Sequence, residues 1–155
     1  MTTTPIQYAT APRTPQGAQF RPLLRVGLSA AVAGLGVVEV YAAIVKATGV
    51  PMSAGFLGAT QAQPVTAGSF ATGVLVCTFW GTVLTMVLRK VSRRPRRAFV
   101  LASCTLAALS LVVPLGAGAT VASTKLTLVG AHLIVALVVI PILAGALPKA
   151  AQSSQ

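Results

Sequence analysis

The sequence predicts an all-α fold, an integral membrane four-helix antiparallel bundle with both termini on the cytoplasmic side (N-in/C-in). The chain of 155 residues is 55% hydrophobic but only 8% charged, and its mean hydropathy is +0.84. A soluble domain carries about 25% charged residues, so this chain cannot coat a water-facing surface. Four stretches have the ~20 apolar residues that a helix needs to cross ~30 Å of hydrocarbon, and the cations beside them are unevenly distributed.

The four predicted spans divide the chain into a membrane domain and two tails. Residues 1–25 are polar and rich in Thr, Pro and Gln, which predicts a disordered cytoplasmic tail. The membrane domain covers residues 26–147, with spans at about 26–45, 69–88, 98–115 and 126–147, and residues 148–155 form a second cytoplasmic tail. The alternative for the first span is a cleaved secretory signal, but the apolar run and the tail before it are longer than a signal has.

The orientation follows from the cations. Ten of the twelve lie on one side of the predicted membrane: Arg13, Arg21, Arg25, Arg89, Lys90, Arg93, Arg94, Arg96, Arg97 and Lys149. Only Lys46 and Lys125 lie on the other side. Because Lys and Arg accumulate in cytoplasmic loops, both termini and the Arg-rich connection are predicted to be cytoplasmic.

The two outer connections differ in length. The segment Lys46–Gly68 contains Gly49, Pro51, Gly55, Gly58 and Pro64, which predict an irregular loop that rests partly on the membrane interface. The segment Gly116–Lys125 is short and rich in small residues, which predicts a tight antiparallel hairpin of spans three and four. Pro114 and Pro141 each remove a backbone hydrogen bond and are expected to bend these two spans.

Small and hydroxyl residues recur at helical spacing, which favours close packing of helices in lipid. Ala30 and Gly34 have the small-xxx-small spacing, and the small face of span one is a candidate surface for self-association. The residues with these spacings are Gly27, Ala30, Ala31, Gly34 and Gly36 in span one, Thr78, Thr82 and Thr85 in span two, and Ser103, Ala107, Ser110 and Pro114 in span three. We interpret the hydroxyls as helix contacts bonded to their own i−4 carbonyls, with a conducting pathway as the alternative.

Glu39 and His132 are the single acid and the single histidine of the chain. Each lies seven residues from a lysine at the outer end of its span (Lys46 and Lys125, respectively), so both are predicted at a depth of roughly 10 Å. Ionisable groups at depth face the bundle interior and find partners, which predicts that Glu39 and His132 pair. Lys46 shares the Glu39 face and is a rival partner. The pair is either a structural clasp between spans one and four or a proton, ion or ligand site.

The residue inventory argues against an enzyme. No second carboxylate is present for acid–base catalysis, and two cysteines with one histidine cannot build an ordinary zinc site. We therefore predict no catalytic residues, no metal and no cofactor. Cys77 and Cys104 are expected to be buried apolar residues, and Trp80 is expected to pack inside the helices.

The second connection holds six cations within nine positions. These are Arg89, Lys90, Arg93, Arg94, Arg96 and Arg97, called the basic cluster below. Two interpretations remain open: the cluster binds anionic lipid headgroups, at about 1 kcal/mol per cation near the surface, or it only fixes topology. Nucleic acid is not an expected partner, because no recognition module accompanies the charge.

The second half of the chain resembles a known family. Span three ends at Pro114-Leu115, a Gly-Ala-Thr loop ends at Thr120, the segment Leu126–His132 follows, and a Val-rich run closes on Ile140-Pro141. This pattern is similar to a family of small bacterial four-helix integral membrane proteins of unknown function. The resemblance covers about residues 25–147 and implies fold and topology, with no activity attached.

These observations predict a multi-pass protein of the bacterial cytoplasmic membrane. Its expected role is non-enzymatic, as an accessory or partner-binding membrane protein. Its expected partners are the lipid bilayer, anionic headgroups, and either further copies of the chain or another membrane subunit. The alternative is a small proton-coupled transporter or carrier that uses Glu39 and His132.

Overall fold

The computed structural model describes residues 20–148 of the chain, most of them in helices. The long helices are α1 (Phe20–Ala47), α2 (Ala67–Val91), α3 (Pro95–Ser110) and α5 (Ala122–Gly145), and a single turn, α4 (Val112–Leu115), follows α3. Four segments are long and apolar enough to cross a membrane: Arg21–Ala47, Gly68–Val91, Pro95–Leu115 and Ala122–Gly145. The all-helical prediction with four candidate spans is confirmed.

Helix α1 begins earlier than the sequence predicts. Residues 20–25, assigned above to a disordered tail, form its first turns, and Leu23 is buried there. Arg21 and Arg25 favour helix, and their long side chains can keep the charge in water while the stems cover apolar surface. The remainder of the predicted tails, residues 1–19 and 149–155, lies outside the described residues.

The prolines of the third and fourth spans act differently. Helix α3 ends at Ser110, and α4 restarts at Val112 with Pro114 in its only turn. Pro114 has no N–H to donate to the Ser110 carbonyl, which explains an interruption at this position. Helix α5, in contrast, continues through Pro141 without a break.

Helix α5 is the centre of the packing and contacts α1, α2, α3 and α4, whereas the backbones of α1 and α3 do not come close within the described residues. Gly34 of α1 lies so close to α2 and α5 that a methyl group there would be 3.1 Å from Val74 and Val139. Two apolar clusters fill the interior. One surrounds Phe99, and the other consists of Val38, Val74 and Ala131 with partly buried neighbours.

The two ends of the helical assembly can be distinguished by composition. We call the end with the basic cluster and the start of α1 the arginine end. The opposite end is the hairpin end, because the predicted irregular loop contains a two-stranded antiparallel hairpin there, β1 (Ser53–Ala54) and β2 (Gln63–Pro64). The sequence does not predict these strands, because each has only two residues and neither shows apolar alternation.

The hairpin packs on the loop between α4 and α5. Gly55 N–H donates to Thr120 Oγ1 at 2.9 Å, and Gly118 N–H donates to the Phe56 carbonyl at 3.0 Å. The Thr124 hydroxyl donates to the Pro51 carbonyl, which links the start of α5 to the hairpin. A side chain at Gly55 or Gly118 would collide with backbone atoms of the opposite loop. The two loops therefore form one hydrogen-bonded cap.

Candidate functional site

Glu39 and His132 lie at the same level of the assembly. Helices α1 and α5 run antiparallel, and the Tyr41 side chain lies directly over Gly130, where it would collide with any larger residue. Tyr41 is two residues after Glu39, and Gly130 is two residues before His132. Because the helices are antiparallel, two residues back along α1 and two residues forward along α5 lead in the same direction. Glu39 and His132 therefore lie at one level, as the sequence predicts.

The two side chains nevertheless do not meet. Two residues of helix correspond to about 200° of rotation. Because Tyr41 faces α5, Glu39 is directed away from α5, and the His132 side chain is exposed. No ion pair joins them anywhere in residues 20–148. The predicted pairing is therefore not formed within one chain, because it rested on depth alone and not on direction around the helix.

His132 is exposed on the outer surface of α5, and this corrects the prediction that it faces the interior. Its Nδ1 lies 3.0 Å from the Leu128 carbonyl, one turn earlier in the helix. A carbonyl can only accept, so Nδ1 donates to it and Nε2 points outward. His132 is the eleventh residue of the 24 in α5, so the ring lies close to the middle of this candidate span.

Glu39 is half-buried, and neither lysine of the hairpin end neutralises it. Lys46 is exposed and forms no ion pair with Glu39 in the described part of the chain, so the rival pairing is not formed either. The Lys125 ammonium donates to the Leu115 carbonyl at 3.2 Å and satisfies the end of α4. Lys125 therefore stabilises the turn between α4 and α5.

The basic cluster occupies the end of α2, the connection and the start of α3. Arg89 and Lys90 lie in the last turn of α2, where the helix dipole favours cations. Arg96 and Arg97 follow Pro95 at the first positions of α3, where the dipole disfavours them. All six side chains are exposed except Arg89, which is half-buried. The helix dipole therefore does not explain the cations at the start of α3.

The threonine stripe of α2 lies inside the protein. Thr78, Thr82 and Thr85 are buried, and the hydroxyls of Thr82 and Thr85 each donate at 2.8 Å to the carbonyl four residues earlier. Thr82 also faces Gly27, where a methyl group would be 2.6 Å from its hydroxyl oxygen. This supports the helix-contact interpretation. Thr78 Oγ1 differs, because it is buried with no hydrogen-bond partner.

Several residues predicted to be interior are exposed. Cys77 and Cys104 are exposed free cysteines, and Trp80 is 63% exposed with its ring edge-to-face on Phe79 at 5.5 Å. Conversely, the small face of span one is mostly buried, since Gly27, Ala30, Ala31 and Gly34 pack inside the chain. That face is not free for self-association. Within residues 20–148, no group of three His, Cys, Asp or Glu side chains could hold a metal ion.

Sequence reasoning missed Tyr41 and Thr124, which set the register of α1 on α5 and of the hairpin on α5. Both effects depend on contacts between residues far apart in the chain, and no local motif marks them.

Comparison with known proteins gives one result. Residues 18–149 match the family model described as a family of unknown function (DUF6069). No curated protein and no solved structure matches the chain.

Proposed function

This chain belongs to the DUF6069 family of unknown function, and we propose that it is a multi-pass protein of the bacterial cytoplasmic membrane. In this proposal the helices form an antiparallel four-helix bundle with both termini in the cytoplasm. Its role is non-enzymatic: it is an accessory protein that binds a partner in the plane of the membrane, and the basic cluster contacts anionic lipid headgroups.

One observation carries the proposal: the charges are segregated between the two ends of an apolar assembly. Only Lys46 and Lys125 lie at the hairpin end. The arginine end carries eight cations within the described residues, namely Arg21, Arg25, Arg89, Lys90, Arg93, Arg94, Arg96 and Arg97. This asymmetry is the one that directs short loops to the cytoplasm, and it supports the N-in/C-in orientation.

The surface between the two ends supports lipid as the solvent. Each long helix exposes large apolar side chains, such as Leu28 on α1, Trp80 on α2, Leu106 on α3 and Leu137 on α5. Apolar patches of this extent are rare on soluble monomers. A layer of exposed apolar side chains bounded by charged residues is what a bilayer requires.

The accessory role rests on how the polar side chains are distributed. The buried threonine hydroxyls serve helix packing, and Glu39 and His132 form no ion pair within residues 20–148, so they do not make a paired site for proton-coupled transport in one chain. Most of the remaining charges are at the arginine end, where they can contact lipid headgroups. A partner-binding role needs an exposed surface in the membrane plane, and the exposed faces of α1 and α5 provide it.

Charge reversal tests the orientation. The variant changes Arg93, Arg94, Arg96 and Arg97 to Glu, and the matched control changes Lys46 and Lys125 to Gln. A reporter active only in the cytoplasm and one active only outside it are fused after Gln155 and inserted after Gln61. We expect the control to keep the wild-type pattern and the reversal to disturb it. An unchanged pattern in the reversal variant would show that the cluster does not set the topology.

Reconstitution tests the role. The purified protein in liposomes is expected to show no proton or solute flux above that of empty vesicles. Flux that is lost in Glu39→Gln would overturn the accessory role in favour of transport. Stable co-purification of a membrane subunit from native membranes, or of a second copy, would support the accessory role.

A further inference from the structure

We propose that copies of this chain assemble side by side in the membrane, with Glu39 of one copy paired to His132 of the next. The α1 face around Glu39 then contacts the α5 face around His132. This inference rests on the proposed membrane location and names the partner as a second copy of the same chain.

Both residues need a partner that one chain does not supply. An ionisable side chain within a span is costly when it faces hydrocarbon, and such residues usually pair with one another. His132 is exposed near the middle of α5, and its Nε2 points outward. Glu39 is half-buried and has no ion pair within residues 20–148. Lys46 and Lys125 do not fill this role, because one is exposed at the end of α1 and the other is bonded to Leu115.

A second copy of the chain can supply the missing partner of both residues. Glu39 and His132 lie at one level, as the contact of Tyr41 with Gly130 shows. Glu39 is directed away from α5 and His132 is exposed, so both can meet a neighbouring molecule. Two copies with the same orientation in the membrane therefore present Glu39 and His132 to each other at equal depth. Such a contact is heterologous, and copies related by rotation about the membrane normal close into a ring.

The chemistry also matches one to one. Each chain has a single acid and a single histidine, so every interface of a closed ring uses one of each. Because His132 Nδ1 donates to the Leu128 carbonyl, Nε2 is left for the contact. Nε2–H donates to the Glu39 carboxylate when the ring is cationic, and it accepts from the carboxyl O–H when Glu39 holds the proton. Either form pairs both groups.

Cross-linking tests the contact with Glu39 and His132 intact. In a background with Cys77→Ala and Cys104→Ala, one tagged protein carries Gly36→Cys and another carries Ala136→Cys. Gly36 is exposed in open space, and both positions lie one turn from the proposed pair, toward the arginine end. We expect an oxidant to cross-link the mixture but neither variant alone.

The control places the cysteine two residues before Glu39. Val37→Cys is exposed but about 160° away from Glu39 around α1, so it should cross-link to Ala136→Cys far less. Equal cross-linking from Val37→Cys and Gly36→Cys would overturn the proposal. Cross-linking of either single variant to itself at the rate of the mixture would overturn it as well, because that outcome indicates a symmetric contact.

Self-association measured by energy transfer in liposomes, at increasing lipid dilution, tests the energetics. Glu39→Gln and His132→Phe should each weaken association about 3- to 30-fold, since interhelical hydrogen bonds in membranes contribute about 0.6–2 kcal/mol. The double variant should lose no more than one single variant does, and Lys46→Gln should change nothing. A chain that is monomeric at every dilution overturns the assembly, whereas retention in alkali-washed membranes would show that the proposed membrane location still holds.

Discussion

The hairpin end and the arginine end of this protein are stabilised by different kinds of contact. At the hairpin end, two loops far apart in the chain are joined by backbone and threonine hydrogen bonds, and glycines allow them to touch. At the arginine end, a short connection, Ser92–Arg94, carries exposed cations, while a buried apolar cluster around Phe99 joins α1, α3 and α5. The hairpin end is therefore joined by hydrogen bonds between loops, and the arginine end by apolar packing beside exposed charge.

The largest effect on stability should come from adding a side chain where the two loops of the hairpin end touch. In Gly118→Ala, the new methyl group meets the backbone of Ala59, which cannot move aside as a flexible side chain would. We expect the free energy of unfolding in mixed detergent micelles to fall by about 1–3 kcal/mol. The effect should not depend on salt, because no charge is involved.

The matched control is Gly73→Ala in α2, where a methyl group enters open space. It should leave stability unchanged or raise it by less than ~1 kcal/mol, because alanine favours helix. If the two substitutions have the same effect, close packing of the loops is not what stabilises the hairpin end.

At the arginine end, Arg96→Gln together with Arg97→Gln should weaken binding of the protein to vesicles rich in anionic lipid. Each cation contributes about 1 kcal/mol near such a surface, so the pair should contribute about 2 kcal/mol at low salt. The difference should shrink as salt rises, since exposed charges are screened. Lys46→Gln at the hairpin end is the control, and an equal loss there would remove the distinction between the ends.

A smaller effect separates long-range from local hydrogen bonds at the hairpin end. Thr124→Val removes the bond to the Pro51 carbonyl and should lower stability by about 1 kcal/mol. Thr127→Val removes a bond to the Ser123 carbonyl within α5 and should cost less, because helix carbonyls keep their backbone partners. Amide hydrogen exchange of residues 52–65 should rise in the first variant only. Equal exchange in both would contradict the role of Thr124 in joining the hairpin to α5.

The smallest effect on stability is expected in the part of the helices between the two ends. Thr78→Val replaces a buried hydroxyl that has no partner by a methyl group of similar shape, so stability should stay the same or rise slightly. Thr82→Val, in contrast, loses a hydrogen bond to the Thr78 carbonyl. It should therefore be less stable than Thr78→Val in the same unfolding measurement. The reverse order would show that the Thr78 hydroxyl has a stabilising partner in the membrane.

Some features of this protein could be predicted from the sequence, and others could not. Span number, the position of the basic cluster and the equal level of Glu39 and His132 follow from composition and from the rise along a helix, which are local properties. The direction of His132 around α5 and the docking of Gly55 against Gly118 do not, because they depend on which distant segments pack together. Depth could be counted from the sequence, but direction required the fold.

The central claim is that lipid surrounds the helices, with the arginine end in the cytoplasm. It is tested most directly by labelling intact cells with a membrane-impermeant maleimide. In the background with Cys77→Ala and Cys104→Ala, Gln61→Cys at the hairpin end should be labelled at once. Ser92→Cys at the arginine end should react only after the membrane is permeabilised. Labelling of Ser92→Cys but not Gln61→Cys in intact cells, or recovery of the unlabelled protein in the detergent-free supernatant, would contradict the account.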